Sequence, residues 1–404
     1  MTTQTTLLSQ VRKPHVAVCR LSLLSLLSLF FITFSSPACS QDSNTVFLHV
    51  DGSTFFIDNE YFGDRLSGYT LPGFVLQPKV EWMLHDKVTL RGGLHWLYYW
   101  GARDYPATTA YGAYPLYDSI SRPMHILPWL QAKIQFTPQI RLKMGCLDNN
   151  GHRLPMPLYN DELQLVGDPE AGFELEANGR WFNVDIWADW REYIWDRSPV
   201  PERFTAGLSG NLYHFINDFW EIYLPLHFVV QHEGGQNMSV SHNINNNFNA
   251  AAGLGISNNY PVFNCYFDLS CRVMWYHQHG NATVPFSQGW GIYPELQMEF
   301  NESWLLLASY WHGKDFVPLL GSWHFSNLSA NSAGLTFDRT RVATLSVGWK
   351  WYPLPSCGLT LKGILYHYLP STGTFADGTT QEYGHRNQFS VGVSFSFISI
   401  VRLY

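Results

Sequence analysis

The sequence has 404 residues, of which 14% are charged and 16% aromatic, and its net charge at pH 7 is −7. A negative net charge disfavours a nucleic-acid partner, and no cysteine or histidine pair has the spacing of a zinc site. Beyond the N-terminal leader, no stretch approaches the roughly 20 apolar residues of a transmembrane helix. The sequence therefore predicts no nucleic-acid partner, no metal and no other cofactor.

Residues 1–40 have the features of a secretory signal peptide. Three basic side chains precede the apolar run over residues 21–34, and small residues follow it as far as Ser40. This order predicts export and cleavage, here after Ser40. The alternatives are a membrane anchor, for which the run is too short, and lipoprotein processing at Cys39. Cleavage removes three basic and no acidic residues, which takes the net charge from −7 to −10 for residues 41–404.

After the leader, segments of alternating apolar and polar residues are joined alternately by very short turns and by long polar loops. The short turns lie at residues 85–86, 137–138, 178–179, 216–218, 257–261, 301–302 and 353–356. The long connections lie near residues 57–72, 101–128, 148–170, 192–203, 232–246, 278–288, 313–338 and 369–387. Seven turns and eight loops predict an all-β fold, a transmembrane antiparallel up-and-down β-barrel of about 16 strands. Its short turns would be periplasmic and its long loops extracellular.

The two faces of each segment differ in chemistry. In "FSVGVSFSF" (Phe389–Phe397) one face carries only Phe and Val and the other only Ser and Gly. The segments run about nine to thirteen residues, as membrane strands require, whereas strands of a soluble sandwich are nearer five or six. Trp and Tyr also gather near segment ends, as in the aromatic girdles of membrane barrels. We therefore expect the apolar faces to meet lipid and the polar faces a wet interior.

In this pattern the chain resembles the bacterial outer-membrane porins, in an aromatic-rich form like those of Bacteroidota. The resemblance covers nearly all of residues 44–404 and includes no diagnostic catalytic motif. It implies an outer-membrane location, surrounding outer-membrane lipid, and passive diffusion of small polar solutes. Because similar porins are commonly trimers, it also implies a homotrimer.

Charged residues on the polar faces are grouped by sign along the chain. The predicted pore-lining basic residues are Lys79, Arg91, Lys133, Arg141, Lys143, Lys350 and Lys362. The predicted pore-lining acidic residues are Glu174, Glu176, Asp185, Asp189, Glu221, Asp268, Glu295 and Glu299. Opposed basic and acidic arcs would set a field across the pore and orient polar solutes. The alternative is that these side chains are solvated and interchangeable.

The third long loop (148–170) follows a basic strand and is itself acidic. In general porins the third external loop folds inward and narrows the channel, often with acidic residues facing a basic wall. The resemblance therefore implies constriction-loop candidates, namely Asp148, Asp161, Glu162, Asp168 and Glu170. The short signature of that loop is not visible in this sequence, and an ordinary surface loop is the alternative.

Aromatic residues on the polar faces suit sugar rings, which stack on them while their hydroxyls form hydrogen bonds. They are Tyr99, Trp129, Trp187, Tyr223, Tyr266, Tyr276, Tyr293, Trp311 and Tyr366. The alternative, that they brace the wall, is favoured. The competing functions are a surface adhesin or receptor and an outer-membrane hydrolase. No local signature groups a nucleophile with a histidine, so the sequence favours a non-enzymatic channel, with a bias toward saccharides if these aromatic residues contact the solute.

Overall fold

The computed structural model describes residues 45–100, 124–235, 244–258, 260–280 and 284–403. The predicted leader (1–40) and most of the loop 101–128 lie outside these residues. Within the described part of the chain, no helix is long and apolar enough to cross a membrane. Sixteen antiparallel strands close into one barrel, as the sequence predicts.

The barrel strands succeed one another around the wall in chain order. They are β1 (Thr45–Glu60), β2 (Tyr69–His85), β3 (Val88–Tyr99), β4 (Met124–Thr137), β5 (Ile140–Cys146), β6 (Ala171–Asn178), β7 (Phe182–Glu192), β8 (Glu202–Phe215), β9 (Trp220–Gly234), β10 (Asn245–Asn258), β11 (Cys265–Gly280), β12 (Gln288–Phe300), β13 (Trp304–Lys314), β15 (Thr340–Leu354), β16 (Cys357–Tyr368) and β19 (Arg386–Arg402). Outside the barrel, β14 (Thr336–Phe337), β17 (Ser371–Thr374) and β18 (Thr380–Tyr383) form a separate small sheet. The sequence did not predict this sheet.

The barrel closes where the first strand meets the last. β1 pairs with β19 from Phe47 opposite Arg402 to Glu60 opposite Phe389, in one unbroken register. Closure satisfies the backbone groups of both edge strands, which lipid could not do. Helical structure in the described residues is limited to one helical turn, Leu163–Val166, and two 3₁₀ turns, Gly151–Arg153 and Trp323–Phe325.

Side-chain exposure alternates along the strands as the polar and apolar faces predict. In β19, Phe389 is 46% and Val391 55% exposed, whereas Ser390 between them is 8% exposed. In β4, Leu130 is 65% exposed and its neighbour Trp129 is fully buried. The exposed apolar side chains form the outer surface of the barrel, and the polar and small ones face inward.

The outer face generates a stability prediction. Replacing Leu130, near the middle of β4, with Arg places a charge at the bilayer centre and should cost about 2–4 kcal/mol of unfolding free energy. Met124→Arg is the matched control, because Met124 has the same parity at the first residue of the strand, where the cost should fall to about 0–1 kcal/mol. Urea unfolding of the refolded barrel in phospholipid vesicles measures both. Equal costs at the two positions would contradict a lipid-facing surface.

Candidate functional site in the barrel lumen

Two of the long loops fold into the barrel. Residues 147–170, between β5 and β6, are called the third loop, and residues 315–339, between β13 and β15, the seventh loop. Hydrogen bonds tie them to strands on different sides of the closed sheet: Tyr99 Oη donates to the carbonyl of Val166 (2.6 Å), Lys362 Nζ to Asp161 (2.8 Å) and Asn249 Nδ2 to the carbonyl of Val317 (3.0 Å). Such contacts require both loops to lie inside the barrel.

The two loops also pack against each other. The amide of Asn160 donates to the carbonyl of Leu320 (2.9 Å), and the amide of Ser322 to the carbonyl of Met156 (3.0 Å). Around these bonds lie nearly fully buried apolar side chains, including Leu158, Tyr159, Leu163, Val166, Phe316, Leu320, Phe325 and Leu328. The lumen therefore contains an apolar core, whereas the sequence analysis expects an aqueous channel. Sixteen strands enclose more space than wall side chains fill, and the loops occupy part of it.

Most of the inward-facing aromatic residues of the wall are buried, and six of them pack in one cluster with this core: Tyr99, Trp187, Tyr276, Tyr293, Trp311 and Tyr366. Eight of the nine are at most 5% exposed: Tyr99, Trp129, Trp187, Tyr223, Tyr276, Tyr293, Trp311 and Tyr366. Tyr266, the ninth, is 41% exposed. Burial of this kind favours the bracing interpretation over direct stacking on a solute.

The predicted basic and acidic arcs meet at β5 and β6, which are paired strands. There Lys143 Nζ lies 2.7 Å from Glu174 and 2.9 Å from Glu176, and Arg141 also contacts Glu176. Asp148 of the third loop is 3.9 Å from Lys143. At this boundary the charges of the two arcs therefore neutralise each other within the wall rather than across the lumen.

Most of the other predicted wall charges also have a neighbour within the barrel. Lys79 lies 3.2 Å from Asp51, Arg91 contacts Glu81, Asp189 lies 2.6 Å from Arg191, and Glu295 lies 3.2 Å from Arg272. Glu221 accepts from Ser257 Oγ (3.0 Å), and Asp268 from Tyr223 Oη (2.6 Å). Lys133, Lys350 and Glu299 are half-buried. Local pairing weakens any field across the lumen, and the pore-lining role of these residues stays a prediction.

The acidic residues of the third loop are held by several different strands. Asp161 pairs with Lys362 of β16. Glu162 accepts hydrogen bonds from Asn59 Nδ2 (3.1 Å) and Tyr69 Oη (2.8 Å), Asp168 lies 2.9 Å from His125 Nδ1, and Glu170 lies 2.7 Å from His152 Nε2. Among the described residues, two loop carboxylates contact predicted wall cations: Asp148 lies near Lys143, and Asp161 pairs with Lys362 in the lining of a cavity.

His152 is a buried residue that the sequence analysis did not single out. Gly151, His152 and Arg153 have φ angles of 71°, 48° and 56°, so the loop makes a left-handed turn that places the ring against the wall. The ring stacks on Trp187 at 3.9 Å, and its Nδ1 lies 3.0 Å from Asp185. Burial lowers the pKa of His152, but the nearby carboxylates outweigh it and raise the pKa to about 10.

His324 of the seventh loop is also buried, but its neighbours are tyrosines rather than carboxylates. Its ring stacks on Tyr366 at 3.6 Å, and its Nδ1 lies 2.6 Å from Tyr368 Oη. Tyr61 from the first loop packs edge-on against it at 4.5 Å. Burial, together with the positive charge of Arg65, lowers the pKa of His324 to about 3. The ring is therefore neutral in the folded protein at physiological pH.

Three cavities lie in succession along the lumen face of β19. Their volumes are about 120 Å³, 140 Å³ and 850 Å³ from the extracellular to the periplasmic end. Successive inward residues of β19 line them: Arg386 and Gln388 the outer cavity, Ser390, Gly392 and Ser394 the middle one, Ser396, Ile398 and Ile400 the inner one. Because inward residues are spaced roughly 7 Å apart along a strand, the cavities follow one another without a gap in the lining.

A closed sheet of sixteen strands with an apolar outer face and a polar, loop-filled lumen defines an outer-membrane β-barrel protein. The sequence matches the family model described as lipid A 3'-O-deacylase-type over residues 38–403, and the chain belongs to this family. An outer-membrane β-barrel family is what the sequence pattern predicts. No curated protein matches the sequence.

Several solved outer-membrane barrels are similar in structure. OccAB3 of Acinetobacter baumannii is 12% identical, with 87% of this chain and 99% of that chain covered and a TM-score of 0.49. The outer-membrane protein OpdK of Pseudomonas aeruginosa is 9% identical, with 88% and 99% covered and a TM-score of 0.46. OmpT, an outer-membrane protein of Vibrio cholerae, is 10% identical, with 90% and 100% covered and a TM-score of 0.45.

His324 generates a prediction about pH. The free histidine pKa is about 6.5, and the folded-state pKa of His324 is about 3. Between these two pH values the unfolded protein binds a proton at His324 that the folded protein does not bind. The contribution of His324 to stability is intact above pH 6.5 and is lost as pH falls toward 3. Its limiting slope is about 1.4 kcal/mol per pH unit. The thermal unfolding midpoint in detergent, measured from pH 7.5 to 5, should fall more steeply in the wild type than in His324→Gln.

The control for this measurement is His85→Gln, since His85 is exposed beside a short turn. This variant should follow the wild-type pH dependence. If His324→Gln loses stability on acidification as steeply as the wild type, the neutral, buried state of His324 is wrong.

Proposed function

We propose that this protein is an outer-membrane channel through which small polar solutes diffuse passively along the inner face of β19. The observation that carries the proposal is the succession of three cavities lined by consecutive inward residues of that strand. Among the described residues, the third and seventh loops fill other parts of the lumen, and these cavities supply a solute path on this side.

Small side chains keep this side open. Ser390, Gly392, Ser394 and Ser396 line the middle cavity and the start of the inner one. Across the lumen, β7 presents the large buried ring of Trp187 to His152 of the third loop. A row of small residues on one strand leaves a slot between that strand and the third loop. In "FSVGVSFSF", the Phe and Val side chains thus face lipid, and the Ser and Gly residues line the proposed solute path.

The charges along this path predict weak selectivity. Its three cavities are lined by five acidic residues, Asp51, Asp64, Asp161, Glu162 and Glu382, and by three basic residues, Arg65, Lys362 and Arg386. The excess of carboxylates favours cations modestly. In the middle cavity, the half-buried Tyr61 lies beside the polar side chains of Asn59 and Ser390, which is the kind of lining that a saccharide would use. We therefore include neutral sugars among the proposed solutes.

The family description gives a second candidate, hydrolysis of an acyl ester of lipid A. Ester hydrolysis needs a nucleophile, a base and an orienting group within reach of the ester. The buried histidines described above, His152 and His324, are held by carboxylates and tyrosines inside the barrel, whereas lipid acyl chains contact its outer face. The channel is therefore favoured. Loss of an acyl chain from lipid A in vesicles, detected by mass spectrometry with a barrel that does not conduct, would favour the hydrolase.

The channel proposal predicts the effect of filling the middle cavity. The Cβ of a residue at position 392 would meet nothing closer than 3.8 Å, so Gly392→Phe should fold with its ring in a cavity of about 140 Å³. Single-channel conductance in planar bilayers should fall to roughly half or less of the wild-type value. Gly363→Phe is the matched control, because Gly363 lies on the lipid-facing side of the neighbouring strand with open space around it.

The outcomes of this experiment are distinct. Discrete wild-type openings that Gly363→Phe preserves and Gly392→Phe reduces support the β19 path. Equal conductance in all three proteins would place the path elsewhere in the lumen. A folded, heat-modifiable wild-type barrel that never conducts would overturn the channel itself.

Charge and sugar dependence can be read in the same bilayers. Lys362→Gln should increase the preference for cations over anions, because it removes one of three basic groups along the path while the Asp161 carboxylate remains. Reversal potentials in a salt gradient measure this change. Transient current blockade by maltooligosaccharides would support sugar contact, and unperturbed current at millimolar sugar would rule it out.

A further inference from the structure

A buried group of potential metal ligands lies where the third loop meets the wall. His152 of the loop, Glu174 of β6 and Asp185 of β7 each offer one ligand atom, and these atoms all lie within 4.8 Å of one another. The three residues are at most 2% exposed. One imidazole nitrogen and two carboxylate oxygens form a donor set that suits divalent transition metals such as Zn²⁺ and Mn²⁺.

The surroundings of His152 are those of a metal-bound histidine. Its Nε2 lies 2.7 Å from a carboxylate oxygen of Glu170, which leaves Nδ1 facing Asp185 at 3.0 Å. Histidines that bind metals almost always donate their other ring N–H to a carboxylate or carbonyl, which sets the tautomer and orientation. The parallel stack on Trp187, with an interplanar angle of 2°, restrains the ring further.

An unpartnered carboxylate oxygen of Asp185 is a second observation that supports a cation site. One carboxylate oxygen of Asp185, Oδ1, is buried and has no hydrogen-bond partner among the described residues. An unsatisfied buried oxygen of an ionised group is costly. A metal ion bound by the same carboxylate supplies the interaction that protein groups do not.

The buried charged groups around the proposed site have a negative net charge, which also favours a bound cation. Five carboxylates, Glu170, Glu174, Glu176, Asp185 and Asp189, are each at most 7% exposed. The cations that pair with them are Arg141, Lys143 and Arg191. Carboxylates outnumber these cations by two, and in the metal-free protein the protonated imidazole of His152 offsets one of the two excess negative charges. A divalent cation bound in place of that imidazole proton would offset both.

We propose that His152, Glu174 and Asp185 bind one divalent transition-metal ion inside the barrel, with Glu170 orienting the imidazole. On binding, the ion replaces the proton shared between His152 Nδ1 and Asp185, and that proton passes to solvent. The ion then joins the third loop to β6 and β7. This role is independent of whether the barrel conducts.

The test measures metal content and affinity of the tag-free, refolded full-length mature barrel. The protein is stripped with EDTA, titrated separately with Zn²⁺ and Mn²⁺, desalted, and analysed by inductively coupled plasma mass spectrometry. The wild type should retain one ion per chain. Asp185→Asn and His152→Gln should lower the affinity by about 100-fold or more, and Glu170→Gln by about 10-fold to 100-fold. X-ray absorption of the loaded wild type should show one imidazole in the first coordination sphere.

A surface pair provides the matched control. His367 Nε2 and His385 Nδ1 lie 3.1 Å apart on exposed residues at the extracellular end, so they are the obvious adventitious site. His367→Gln should leave the stoichiometry of one unchanged. If the ion is lost with His367→Gln and kept with Asp185→Asn, the proposal is wrong. It is also overturned if the wild type retains no ion, since that result does not depend on whether a variant folds.

Discussion

The pairing of β1 with β19 is the constraint on which the rest of the structure depends. In lipid an unpaired strand edge leaves backbone groups that nothing else can satisfy, so the sheet must close on itself. With sixteen strands, closure produces a ring too wide for wall side chains to fill. The remaining features of the molecule are responses to that excess width. The outer face needs only to be apolar, whereas the inner space is divided between packed loops and cavities.

The third and seventh loops fill one part of the lumen and leave the part beside β19 open. They carry their own apolar core, with Leu163 and Phe325 at most 1% exposed, and large inward rings such as Trp187 close the gap between loop and wall. On the other side of the lumen, β19 carries Ser and Gly on its inward face, and these side chains are too small to fill the space between the strand and the third loop. The packed and the open parts of the lumen are therefore separated by side-chain size on the strands rather than by charge. A lumen of this kind is mostly solid, with a slot along one wall.

The strand pattern was predictable because parity is a local property. Seven turns, eight loops and the lipid-facing residues all followed from alternation, which depends only on neighbours in sequence. The packing of loops inside the barrel was not predictable in the same way. Apolar residues in the stretches around Leu158 and Phe316 have no period, and their burial depends on strands far away in the chain. His152 was missed for that reason: its partners Glu170 and Asp185 are 18 and 33 residues distant.

The same distinction explains why the predicted arcs of charge differ from the charges that border the slot. Grouping by sign along the chain placed basic β5 next to acidic β6, and neighbouring strands bring opposite inward charges within contact distance. Lys143 and Glu174 therefore cancel locally, and burial beneath the third loop keeps them from the proposed solute path. Asp161 and Lys362 border that path, because one belongs to the loop and the other to the wall of the slot. In the proposed channel, electrostatic selectivity thus depends on the few charges that border the slot rather than on the sum over the wall.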